Sequence, residues 1–349
     1  MRNFIRRAAI AALLACAACL ASAQALQEVR ISSQPALLGS VPFLVAAEKD
    51  WWKDVGLKVT ITNFPAGAPQ IAASSSWDIG YTGSVPAVLG AARFNLHTMA
   101  FSDDQSATNA IYVRGDKADA IIKNPASLKG QTVFLTGNST VDLAARSCLQ
   151  KFGLQKGEVT IRSMGQAEIL SAMSSGSADV AGLWAPNTYS AEEKAGAKLL
   201  CSGRDAGVLV PGNLIVRSDW AKQNPQLVAK FLAVYIRAQR YLAANRKEAL
   251  ALMKKHYEAG GVQISEAAMN KEFDLRPTFD LAGQLALFDR SKGTSRADSA
   301  MIRIAEFMKE VGSLRPDEPA PDVKIYVTDE YLKLVERDPQ LKAFAARTN

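Results

Sequence analysis

The chain has 349 residues, 48% hydrophobic and 21% charged, the composition of a globular protein of about two domains. That balance excludes a disordered tail and a polytopic membrane protein, and Gly 23 with Pro 14 excludes collagen-like and low-complexity chains. Only two histidines occur, His97 and His256, so a His-rich zinc site is not expected and a His-based triad would have to use one of them.

The first segment has a grammar of its own. Arg2, Arg6 and Arg7 precede an apolar run over residues 8–21, and Ala21-Ser22-Ala23 has the small-x-small form of a cleavage site. The run is about 14 residues, shorter than the ~20 that span a bilayer as a helix. Residues 1–23 are therefore expected to be a secretory signal peptide. Leu13-Leu14-Ala15-Cys16 loosely matches a lipobox, so a lipoprotein is the rival reading. Cleavage would remove three arginines and no acid, lowering the formal charge from +7 to +4, so the pI of 9.2 overstates the mature basicity. No Lys/Arg cluster with interleaved aromatics appears, which argues against a nucleic-acid partner. The mild positive balance suits a small anionic or zwitterionic ligand. Cys148 and Cys201 would remain after cleavage, either paired in an oxidising compartment or packed singly as small apolar residues.

Strand and helix patterns then alternate, the mark of an α/β fold. Strands are predicted over 29–33, 57–62, 79–81, 96–102 and 110–114, with helical stretches over 42–54, 67–76 and from 84 through 93. Trp51 and Trp52 are placed on the outside of this unit. The pattern restarts with a strand over 131–136, a helix over 140–152, strands at 159–164, 180–185 and 198–202, and a helix over 166–175. An extended apolar stretch at 208–217 returns to the first unit. Asn224 and Pro225 open a long helix, followed by helices over 246–257 and 297–311. The expected organisation is a discontinuous first lobe, residues 24–115 and 207–349, interrupted by a second lobe, residues 116–206. A cleft between them would hold ligand at the carboxyl ends of strands, beside helix N-termini.

The strongest chemical signal is Thr136-Gly137-Asn138-Ser139-Thr140, between a strand and a helix. A helix start leaves backbone N–H groups unpaired and carries partial positive charge. With the Ser139 and Thr140 hydroxyls it suits an oxyanion. The alternative is plain capping, with Ser139 as N-cap and Asp142 three residues on. Tyr81-Thr82-Gly83-Ser84-Val85-Pro86 repeats this arrangement in the first lobe. Trp184, at a strand end before Pro186, either walls a pocket or fills the core. Asp103-Asp104 reads as a solvated turn in preference to a site for a ligand amine. The signatures G-x-S-x-G, G-x-x-x-x-G-K, H-E-x-x-H and G-x-G-x-x-G are absent. No enzyme, metal or cofactor is expected.

These pieces together carry a resemblance. Asp78-Ile79-Gly80, Gly83-Ser84-Val85-Pro86, Leu128-Lys129-Gly130, Asn138-Ser139-Thr140, Gly176-Ser177-Ala178-Asp179, Leu183-Trp184-Ala185-Pro186, Ser218-Asp219-Trp220 and Phe307-Met308-Lys309-Glu310-Val311-Gly312 occur in that order over residues 28 to about 335. In order and spacing the chain resembles the periplasmic substrate-binding proteins of ABC importers for taurine, aliphatic sulfonates and nitrate. The resemblance implies a two-lobed type II periplasmic binding protein fold, a soluble periplasmic monomer, a small-molecule ligand and an ABC transporter permease as partner. It also implies ligand contacts at Gln34, Gly83, Ser84, Ser139, Thr140 and Trp184. On the return strand, where taurine-type relatives carry an acid, this chain has neutral Asn213, which is expected to face the cleft and to disfavour taurine's ammonium. An enzyme on the same fold, such as the pyrimidine-precursor synthases, is the competing class; those rely on a His-rich centre.

Overall fold

The computed structural model describes residues 25–315 and 317–349. The expected signal peptide and the lipobox around Cys16 lie outside the described residues.

Two five-stranded sheets organise the chain. The first contains β1 (Gln27–Ser33), β2 (Leu57–Asn63), β3 (Ile79–Gly83), β4 (Leu96–Asp104) and β10 (Pro211–Arg217), in the order β2-β1-β3-β10-β4. The second contains β5 (Asn109–Val113), β6 (Thr132–Leu135), β7 (Thr160–Ser163), β8 (Val180–Trp184) and β9 (Lys198–Ser202), in the order β7-β6-β8-β5-β9. In each sheet four strands run in one direction and the fourth in the order is reversed, β10 antiparallel to β3 and β4, β5 antiparallel to β8 and β9. The arrangement is the two-lobed α/β fold expected from the alternation.

One expected boundary is displaced. Strand 110–114 was assigned to the first lobe, but β5 pairs with β8 and β9, so the second sheet begins at Asn109 and not after residue 115. β4 and β5 are successive buried strands separated by four residues, Gln105-Ser106-Ala107-Thr108, a spacing that does not distinguish a hairpin from a crossing. The chain crosses between lobes at residues 105–108 and returns at 203–210. The two crossings bond to each other: Gln105 N–H to Val210 O (2.8 Å), Arg204 N–H to Ser106 O (2.9 Å) and Gly203 N–H to Asn109 O (2.9 Å).

The first lobe holds the larger core, and the helical return supplies much of it. Helix Pro225–Ala244 buries Phe231, Leu232, Tyr235 and Ile236. Trp51 and Trp52 belong to this core, at 3% and 4% exposure, and not to the outside of the lobe. Trp52 stacks on Phe231 at 5.6 Å between centroids, and Trp51 meets Tyr241 edge-on at 5.3 Å. Their burial answers a steric need: the aromatic face of the long helix requires large apolar partners. Residues 258–296, to which no element was assigned, contain helices Glu266–Leu275 and Leu281–Phe288. In the second lobe Cys148 and Cys201 form a disulfide, with Cα atoms 6.0 Å apart, tying helix Thr140–Lys151 to β9. No helix of the described residues is long and apolar enough to cross a membrane.

Candidate functional site

The site grows from two strand-to-helix turns facing each other across the lobes. β3 ends at Gly83 and leads into helix Ser84–Phe94; β6 leads through 136–139 into helix Thr140–Lys151. Neither helix has a side-chain cap at its N-terminus. Ser139, a ligand contact in the favoured reading and a capping hydroxyl in the alternative one, donates to Thr136 O at 2.6 Å. Asp142 accepts from the Asn138 N–H (3.2 Å) and from Arg146 Nε (2.7 Å). The hydroxyl-capping alternative is therefore not what the turn does, and the Thr140 and Val141 amides stay available to an anion, while the Asp142 N–H donates to Ser139 O at 3.1 Å. Asn138 makes the turn with φ +55°, a left-handed conformation that Asn tolerates better than most residues. The two turns nearly touch: a Cβ built on Gly83 would collide with Thr140 Oγ1.

A cavity of about 80 Å³ lies between these turns. Of the expected ligand residues, Gln34, Gly83, Ser139, Thr140 and Trp184 line it together. Ser84, next to Gly83, is fully buried and its Oγ has no partner. Asn213 is a correction. It sits inside the first sheet opposite Thr82 and Phe101, accepts from Thr98 Oγ1 (3.2 Å), donates to Pro211 O (2.9 Å), and is absent from the cavity wall. A central strand has no face turned to solvent, so the carboxamide is spent on sheet neighbours. A roomier cavity of about 160 Å³ lies between helices Thr140–Lys151 and Arg296–Glu310, walled by Leu149, Phe307 and the charged Arg146 and Glu306. It faces the flank of the first helix and not its N-terminus, so we place the site in the smaller one.

The lining also includes Tyr81, Gln105, Asn109 and Arg276, which sequence reasoning did not assign to the site. Arg276 is buried and spent on three partners: Nε to Asp103 (2.5 Å), Nη1 to Glu272 (2.9 Å) and Nη2 to Tyr81 Oη (3.0 Å). Gln105 Nε2 also donates to Tyr81 Oη at 2.9 Å, and Tyr257 Oη to Glu272 at 2.9 Å. Burial opposes the Arg276 charge, yet Asp103, Tyr81 and Glu272 hold its pKa well above the ordinary value. Burial pushes the Tyr81 hydroxyl up, and Asp103 adds to it. Burial also raises Glu272, against the pull of Arg276 and Tyr257. Asp103 is therefore neither a solvated turn nor an amine site; it is the guanidinium's partner. Asp104 accepts from the Ser106 N–H at 2.8 Å, and Asp205 accepts from Ser202 Oγ at 2.7 Å. Among the described lining residues the ionisable side chains are Tyr81 and Arg276.

A protein-family model described as NMT1/THI5 like matches residues 39–249. The chain belongs to that family. It is 31% identical over 220 residues to a Bacillus subtilis protein described as aliphatic sulfonates-binding, covering 61% of this chain and 64% of that one. It is 28% identical over 205 residues to the taurine-binding periplasmic protein of Escherichia coli, covering 57% of this chain and 62% of that protein. The matches thus span just under two thirds of the length of these two relatives. Its fold matches the periplasmic aliphatic sulphonate binding protein SsuA from Escherichia coli with a TM-score of 0.71, at 20% identity, over 88% of this chain and 99% of that one. The family's two-lobed binding-protein fold is thereby the fold of this chain.

Proposed function

We propose that this chain is an exported solute-binding protein that captures a small organic anion, a sulfonate first of all, between its lobes and delivers it to an ABC permease. The observation that carries this reading is the meeting of two uncapped helix N-termini, one from each lobe, at one small cavity. Oxyanions bind where backbone N–H groups and helix dipoles converge, and each charge-assisted hydrogen bond contributes about 1.5–3 kcal/mol. The relatives' descriptions as sulfonate- and taurine-binding proteins support the same ligand class. Binding without turnover fits the lining. Tyr81 is held protonated by burial, Arg276 is ion-paired, and His97 and His256 both lie away from the cavity. A monomer released into the periplasm fits the role.

The test is a thermal-shift and calorimetric panel of alkanesulfonates, taurine, nitrate and short carboxylates on the mature protein. A cognate ligand at a hundred times its dissociation constant should add about 2.7 kcal/mol of stability. Saturable binding by sulfonates, weakened roughly tenfold or more by Thr140→Ala, is expected. A panel in which no sulfonate binds while another class does would replace the ligand assignment.

A further inference from the structure

Two carboxamides on the cavity wall, those of Gln34 and Asn109, have an orientation that the surrounding protein dictates. Gln70 donates through Nε2 to the backbone carbonyl of Tyr81 at 3.0 Å and to Ser32 Oγ at 2.9 Å. A carbonyl only accepts, so this contact fixes which end of Gln70 is nitrogen and leaves its Oε1 facing Gln34. Gln34 must then offer its own nitrogen, and does, to Gln70 Oε1 at 2.9 Å and to Thr82 Oγ1 at 3.1 Å. Both amide hydrogens of Gln34 are used, and its Oε1 is left over. Asn109 is locked in the same way: Nδ2 donates to the backbone carbonyl of Gln105 at 3.2 Å, and turning the amide over would set two oxygens against each other. Its Oδ1 is buried with no partner. Gln34 is 8% and Asn109 2% exposed, and both line the cavity.

From this arrangement we infer that the ligand carries, besides its anionic head, an uncharged hydrogen-bond donor, a hydroxyl or amide N–H, that donates to Gln34 Oε1 or Asn109 Oδ1. The inference rests on the sulfonate reading above and names the substrate class within it. A buried acceptor without a donor is costly, and a site built to bond a substrate hydroxyl rejects the analogue that lacks it. An ammonium would also donate, but it needs a counter-charge when buried. No carboxylate is among the described lining residues. The neighbouring Asp103 and Glu272 are both bonded to Arg276, whose guanidinium itself stands on the wall. A neutral donor fits this wall better than a cation does.

Three probes of equal backbone separate the cases: ethanesulfonate, 2-hydroxyethanesulfonate and 2-aminoethanesulfonate (taurine), titrated calorimetrically into the mature protein. The hydroxy compound should bind at least about tenfold more tightly than either of the others. Asn109→Ala and Gln34→Met each remove one acceptor. In the variant that loses the acceptor the hydroxyl uses, the ratio of hydroxy to plain ethanesulfonate affinity should collapse toward one; a ratio unchanged in both variants would overturn the inference. The two residues sit on different lobes, so a variant that fails to fold leaves the other usable, and the wild-type ratio stands without either. Ethanesulfonate binding as tightly as the hydroxy compound, or taurine binding tightest, would overturn the inference while leaving the sulfonate reading intact. Binding of none of the three would overturn both.

Discussion

At Gly83 the absence of a side chain is a requirement of the closed site and not of the local backbone. Its φ is −72°, which alanine adopts freely, so its own lobe would accept a methyl group. The obstacle is Thr140 Oγ1 on the opposite lobe. Gly83→Ala should therefore leave the unfolding temperature of the free protein within about a degree of wild type and weaken ligand binding roughly tenfold. Overpacking of this kind costs about 1–3 kcal/mol. Adding Thr140→Ala should restore less than the full loss, because that change relieves the clash and removes a ligand hydroxyl together. Wild-type affinity in Gly83→Ala would show that the lobes never close this far. His256 carries a second residue-level consequence. Burial depresses its pKa to about 4, the Leu37 carbonyl pulling the other way. Between pH 6.5 and 4 the unfolded chain then binds a proton that the folded chain refuses. Stability present above pH 6.5 is lost as pH falls toward 4, by about 2–3 kcal/mol. Urea midpoints at pH 7 and pH 4, compared with those of His256→Gln, should show the variant losing less; equal losses would mean His256 is protonated in the fold.

At the scale of elements, helix Glu266–Leu275 shows both what the site depends on and why part of it was not legible in the sequence. It delivers Arg276, one residue past its end, to the wall of the cavity, with Glu272 behind it as a partner of that guanidinium. Arg276→Met would leave Asp103 and Glu272 buried without their cation. Removing one partner of a buried pair costs about 3–5 kcal/mol. Chemical denaturation should register that loss together with weakened ligand binding, and a loss under about 1 kcal/mol would show that the carboxyls are already neutral in the fold. Glu272 and Arg276 are four residues apart with the acid first, the spacing of an exposed ion pair on a helix surface. Only tertiary packing turns that face inward, so local pattern pointed away from the site. The same limit applies to β5, whose partners are distant in sequence, and to Asn213, whose side chain was assigned to the cleft from its place in the chain. The strand-to-helix turns at Gly83 and at Ser139-Thr140 were legible because their chemistry is local: a strand ends, small polar residues follow, and an apolar helical stripe begins. Trp184 was legible for a like reason, as a large ring at a strand's carboxyl end.

The whole molecule is two sheets joined by two short crossings that bond to each other, with Leu143 of the second lobe packed into the first-lobe core and a small cluster of Ala185, Tyr189 and Ala268 bridging the lobes. Asp104 accepts from the Ser106 amide and hydroxyl, and Ser106 Oγ accepts from the Val210 N–H at 2.9 Å, so the crossings form one paired strap. Motion of one lobe against the other must then be absorbed by a few backbone torsions in residues 105–108 and 203–210, the pattern of a hinge. Away from the strap, the lobes also meet where Gly83 faces Thr140, where Ser313 Oγ bonds Asn138, where Lys156 Nζ donates to Glu310 O at 2.8 Å, and where Lys271 Nζ pairs with Glu192 at 2.9 Å. Two of these contacts are single polar bonds at exposed positions, worth little net stability once water competes for them. The cavity's helix N-termini and unpaired carboxamide oxygens favour the closed arrangement only when a ligand fills them. The free protein in solution should therefore be more open than this structure. Small-angle scattering should show the radius of gyration falling when a saturating ligand is added. Gly83→Ala, saturated with the same ligand, should stop short of the wild-type compact value. An unchanged radius in the wild type, with binding proven by calorimetry on the same sample, would mean that the lobes are fixed and that ligand enters a preformed cavity.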